Sequence, residues 1–282
     1  MVAVIYIDNA LFYGPTKHLI DEVKGVFMYK WKCRDLGPAK EFLHIRIWRN
    51  GSKILIDQCI YLEQVLERFS MTNARSATTP LPQGYYSLSY NGQVDPDVQS
   101  CFQQVIESLL YIILDTWSDI VYAVTALSQH AAKPSQEHLD KALYICQYLL
   151  GTHLYSLVFD GASKARLIAF TDSDWASDPN IHHSQTGWFI KLANCIFSWK
   201  LQQQQQTVYS FTEAEYIALS NCSKQVVWLQ SLLEELGYQL HPIPICGDNQ
   251  TSIFMASNPV TEKRNKHVDI KWHGVKSLYM KN

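Results

Sequence analysis

The stretch that most constrains this 282-residue chain is a helix-length amphipathic segment set between short apolar runs. Over residues 213–236, Ala214, Ile217, Ala218, Cys222, Val226, Leu229 and Leu233 recur at helical spacing, and Gly237 stops the pattern. Ahead of it, residues 167–172, 186–192 and 195–201 read as strands, separated by polar turns. Behind it, residues 244–248 read as a further short strand, followed by helical stretches at 251–256 and 268–278. A one-sided apolar helix must bury that side, and strands on both flanks supply a sheet to bury it on. The second half is therefore expected to be α/β.

The first half carries a different pattern. Residues 2–7 read as a buried strand ending on Asp8-Asn9. Residues 42–48 and 53–57 read as a hairpin with its turn at Asn50-Gly51. Leu62, Val65, Leu66 and Phe69 mark a helix over 61–69, and residues 71–100 read as loop or linker. Helices are expected at 105–131, broken near 117–119, and at 136–150, capped by Ser135 and stopped by Gly151. Residues 157–159 read as the first strand of the second pattern, with a boundary near 153–160.

Hydrophobic residues make up 47% and charged residues 18%, which is globular composition. No apolar run approaches the ~18 residues of a membrane span, so no membrane partner is expected. Seven scattered cysteines without a C-x-x-C pair speak for reduced thiols in an intracellular setting, cytoplasmic or nuclear, and against a zinc site or disulfide frame. Net charge is −2. Composition alone therefore does not suggest nucleic acid, whose binders neutralise phosphates with a basic patch.

Carboxylates stand at element ends in the second half. Asp172 ends an apolar strand, Glu215 lies in the first turn of the long helix, and Asp248 ends another strand. Each has a plain structural alternative. Asp172 suits a turn, Thr212 with Glu215 makes a capping box, and Asp248 suits a loop or an N-cap. Their order, strand-Asp, two strands, helix-Glu, strand-Asp, is one that can hold two divalent cations roughly 3.5–4 Å apart for phosphodiester hydrolysis. Oxygen donors without nearby thiolates suit Mg²⁺ or Mn²⁺.

TDSDWASD (171–178), QTGWF (185–189), FSWK (197–200), TEAEYIALSNC (212–222), GDNQTSI (247–253) and KHVDIKWH (266–273) resemble, in register, the ribonuclease H domain of copia-type retrotransposons. IYIDN (5–9), DLGPAKEFL (35–43), SLLYI (108–112) and DIVYAV (119–124) resemble the stretch leading from the polymerase hairpin of the same elements. The resemblance implies three regions. Residues 1–80 would be the C-terminal part of a reverse transcriptase palm and the segment after it, and 81–155 a helical connection, together α+β. Residues 156–282 would be a ribonuclease H-like mixed sheet with flanking helices, lacking its last strand and helix. It also implies Asp172, Glu215 and Asp248 as metal-binding and catalytic, Mg²⁺ or Mn²⁺ as cofactor, and an RNA–DNA hybrid as the nucleic-acid partner, alongside other element-encoded polypeptides.

The sequence also departs from the family pattern. Asp8 and Asn9 stand where the polymerase hairpin carries paired aspartates, and a further polymerase aspartate is expected upstream of residue 1, so DNA synthesis is not expected. Asp269 is the remaining candidate for a further ribonuclease H carboxylate, with helix capping as its simpler role. Gln147 and His182 replace family arginines, and glutamines run where lysines are usual before Thr207. Several of the departures, Asn9 among them, lie one C-to-T or G-to-A transition from the family residue, as expected of a decayed copy.

Overall fold

The computed structural model describes residues 1–163, 166–174, 183–204, 208, 210–238 and 242–257. An antiparallel ribbon opens the chain, β1 (Val2–Tyr6) on β2 (Asn9–Tyr13), followed by α1 (Lys17–Trp31). Thr16 caps α1, its hydroxyl accepting from the Leu19 amide, and Lys32 closes the helix in the left-handed region. Neither α1 nor β2 is foreseen above. The strand expected to be buried is largely exposed, because a two-stranded ribbon with one helix near it covers little apolar surface.

The next sheet runs β3 (Glu41–Phe42), β4 (Ile45–Asn50), β5 (Lys53–Asp57) and β6 (Leu157–Asp160), all antiparallel neighbours. The β4–β5 turn is one residue later than expected. Asn50 pairs with Lys53, and Gly51 takes φ +60°, the conformation glycine adopts without penalty. Residues 157–159, grouped above with the second pattern, add to this first sheet as β6.

Helices α2 (Cys59–Arg68), α3 (Pro96–Asp115), α4 (Val121–Ser128) and α5 (Gln136–Thr152) pack into one apolar layer. Leu62, Val65, Phe102, Leu109, Leu127, Ile145 and Leu149 are fully enclosed in it. The break near 117–119 is present as a 3₁₀ turn at Ser118–Ile120. Asp95 caps α3 and Pro96 occupies its first turn, so that helix begins nine residues before the apolar periodicity does. Gly151 does not stop α5. It lies inside the helix, where a Cβ would meet Ser76 at 3.1 Å, so glycine there permits the close approach of residues 76–77.

The second sheet has the order β10-β7-β8-β9, with β7 (Leu167–Asp174), β8 (Gln185–Leu192) and β9 (Cys195–Gln203) antiparallel and β10 (Ile245–Cys246) parallel to β7. Helix α6 (Phe211–Glu235) covers one face, burying Cys222, Val226 and Leu229 on Leu167, Ala169 and Ile190. α7 (Gln250–Ser257) follows β10. On the other face, Trp199 and Leu201 dock on the helical layer, and the Trp199 indole donates to the Ile113 carbonyl at 2.8 Å. The expected mixed α/β architecture with flanking helices is present.

Candidate metal centre

Alternation along β7 sends Leu167, Ala169, Thr171 and Ser173 towards α6 and leaves Asp172 and Asp174 exposed on the opposite side. Asp172 thus stands on an interior strand at the rim of the sheet. Next to it, β10 lies parallel to β7 with Cys246 beside Phe170, and the chain turns through Gly247 to bring in Asp248. Parallel pairing of these two strands sets both carboxylates at the same end of the sheet.

Glu215 arrives from the helix. The capping box expected from Thr212 and Glu215 does not form. Ser210 caps α6 instead, its hydroxyl accepting from the Glu213 amide at 3.2 Å. This frees the Glu215 side chain, which lies 2% exposed and accepts from the backbone amide of Ser173 at 3.2 Å. Gln204 supports the same corner from the glutamine run, donating to the Thr186 hydroxyl at 2.9 Å and the Ala214 carbonyl at 3.1 Å. In the sequence that run stands out only as glutamines where lysines are usual. Gln204 instead ties β8, the end of β9 and the start of α6 together.

Carboxylate oxygens of Asp172, Glu215 and Asp248 lie within 4.8 Å of one another. Among the described residues, none of the ion pairs involves any of the three. Burial pushes the Asp172 carboxyl above its ordinary value, with Asp248 and Asp174 adding like-charge repulsion. Glu215 is likewise pushed up, by burial first and then by Asp172 and Asp248. Like charges so close, with no cationic side chain paired to them among the described residues, fit a hard cation held by oxygen donors. Beside the cluster a groove of about 790 Å³ runs between the open sheet face and α4, walled by Phe170, Phe189, Trp199 and Tyr122 and ending at Asp172 and Asp248.

Other sequence candidates fall elsewhere. Asp8 and Asn9 sit exposed at the tip of the β1–β2 ribbon, outside the cluster. Asp269 and His182 lie outside the described residues.

Comparison with known proteins adds four likenesses. The reverse transcriptase (RNA-dependent DNA polymerase) family matches residues 1–83. The retrovirus-related Pol polyprotein from transposon TNT 1-94 of Nicotiana tabacum is 32% identical over 99% of this chain, which spans 21% of that polyprotein. An uncharacterized mitochondrial protein of Arabidopsis thaliana is 32% identical over 81% of this chain and 94% of its own length. Among solved structures, the ribonuclease H1 isolated from compost aligns at 16% identity over 42% of this chain and 78% of that one, with a TM-score of 0.32.

Proposed function

Since the chain belongs to the copia-type retrotransposon Pol family, we propose that its second sheet and α6 form a ribonuclease H-type module that hydrolyses the RNA strand of RNA–DNA hybrids. The observation that carries this reading is the convergence of Asp172, Glu215 and Asp248 from three separate elements on one point. These three residues would hold divalent Mg²⁺ or Mn²⁺. The chemistry such ions would supply there is activation of a water and shielding of the leaving oxygen of a phosphodiester. Glu215, fixed by the Ser173 amide, keeps its second oxygen for the cluster, while Asp172 and Asp248 face the solvent side from which a nucleic-acid backbone can approach. Recognition of a hybrid rests on its shape and 2′-hydroxyls rather than on sequence. The proposed division is residues 1–80 palm-derived, 81–155 connection and 156–282 ribonuclease H-like, with cytoplasm or nucleus as the compartment that seven free cysteines suit.

The test is cleavage of a labelled RNA–DNA hybrid by the full chain with Mg²⁺ or Mn²⁺, beside Asp172→Asn. Metal-dependent cutting of the RNA strand, abolished by the substitution, is expected. A folded, soluble protein that never cuts the hybrid overturns the reading. A second reading, an inert decayed copy, is favoured for the polymerase portion by Asn9, which brings no charge to the hairpin tip. No primer extension is expected from this chain. Decay further predicts that differences from intact sister copies are dominated by C-to-T and G-to-A changes in the coding DNA, and an even spread of substitution types would remove that explanation.

A further inference from the structure

Two histidines stack inside the helical layer. The rings of His130 and His138 lie 4.2 Å apart and 8° from parallel, both residues buried. His138 is the third residue of α5. Its amide donates to the Ser135 hydroxyl, and its Nδ1 accepts from the Ser135 amide at 3.0 Å, which makes a capping box with imidazole in place of a carboxylate. Its Nε2 lies 3.0 Å from the Leu88 carbonyl. Since Nδ1 is an acceptor, Nε2 must carry the proton and donate to Leu88. Both ring nitrogens are thereby occupied in one neutral tautomer, which also leaves none for a metal.

We propose that this stacked pair is an acid-sensitive latch, fastening residues 85–90 to the helical layer at neutral pH and releasing them when His138 gains a proton. A proton on Nδ1 forfeits the bond from the Ser135 amide, leaving that nitrogen only the Ser135 hydroxyl at 3.2 Å, and places a cation against a second imidazole in a buried site. The groups facing His138 are Phe102 from α3, His130 from the turn after α4, the Leu88 carbonyl from the loop, and Ser135 and Glu137 from its own helix. Glu137 is the one charged group acting on it among the described residues. Burial holds the imidazole below its ordinary value, opposed by the Leu88 carbonyl and by Glu137.

The sign follows directly. A histidine whose folded value is depressed binds protons more readily unfolded, so its contribution is complete above about 6.5 and is lost as pH falls from there towards the depressed value. What the latch holds is the wall of a second cavity. Pro80, Pro82, Tyr85 and Tyr86 face Tyr122 of α4 across about 370 Å³, and Tyr122 and Asp119 also border the groove that ends at the carboxylates. Release therefore opens the cavity next to that groove, whatever the carboxylates bind.

Hydrogen–deuterium exchange of the full chain at pH 7.5 and 5.5, corrected for intrinsic rates, tests the latch in wild type and His138→Gln. Glutamine can accept from the Ser135 amide and donate to Leu88 without titrating. The expected result is a severalfold loss of protection over residues 84–92 at pH 5.5 in wild type, with helicity by circular dichroism intact, and no such loss in the variant. Unchanged protection in wild type, loss that comes only with global unfolding, or the same loss in a folded variant overturns the proposal. If the variant does not fold, the two wild-type measurements still decide between local release and none.

Discussion

Asp57 shows how a single residue can organise this chain. It is 1% exposed and accepts from Arg46 Nε at 3.0 Å, Arg46 Nη2 at 3.0 Å, the Trp48 indole at 3.1 Å, the Cys59 amide at 3.2 Å and the Ser156 hydroxyl at 3.2 Å. One carboxylate thus joins β4, β5, the start of α2 and the residue before β6. Asp57→Ala strands these donors and is expected to cost about 2 kcal/mol in urea unfolding, since the enclosed donors lose their acceptor while the half-exposed Arg46 stays solvated. The carboxylate cluster predicts the opposite sign. Removing one of three neighbouring like charges, as in Glu215→Gln, is expected to raise the metal-free melting temperature while abolishing stabilisation by added Mg²⁺ or Mn²⁺, readable by calorimetry. Ile7, with φ +48° at the ribbon turn, occupies a conformation costly for a β-branched residue. Ile7→Gly is accordingly expected to stabilise by about 1 kcal/mol.

Caps and registers decide how elements deliver side chains, and here the sequence was only partly legible. The apolar face of α6 and the alternation of β7 were readable because each repeats over many residues, and the three carboxylates followed from their places at element ends. Ser210 was not singled out, because Thr212 three residues before Glu215 offered an equally good local motif and only tertiary contact with Ser173 decides between them. Ser210→Ala is expected to cost about 1 kcal/mol and Thr212→Ala close to nothing, measured by thermal unfolding. Gln204 was hidden for another reason: nothing in five consecutive glutamines marks Gln204 as a buried one. β6 misled because a short apolar strand carries no information about which sheet it will join. α1 was passed over because it buries none of its residues, so it lacks a strong apolar stripe.

At the level of the molecule, the two halves share structure that a linear boundary obscures. β6 comes after the helical layer in sequence yet completes the sheet before it, and Trp199 of β9 reaches back to Ile113. Residues 153–282 produced alone are therefore expected to unfold at lower denaturant than the same sheet within the full chain, with hydrogen exchange of β9 amides as the readout. The site itself is mounted unevenly. Asp172 belongs to an eight-residue strand paired along its full length with β8, and Glu215 to the buried N-terminal half of α6, but Asp248 follows a strand that pairs through two residues among those described. In the proposed site Asp172 and Glu215 would be the fixed ligands and Asp248 the compliant one, so the size of the cage would not be set in advance. Mg²⁺ demands near-ideal octahedral geometry, whereas larger cations tolerate irregular shells. A cage that adjusts its width discriminates poorly by ionic radius, so this chain should take Mn²⁺ and even Ca²⁺ with affinities close to that for Mg²⁺, leaving the choice of ion to whichever is most abundant around it.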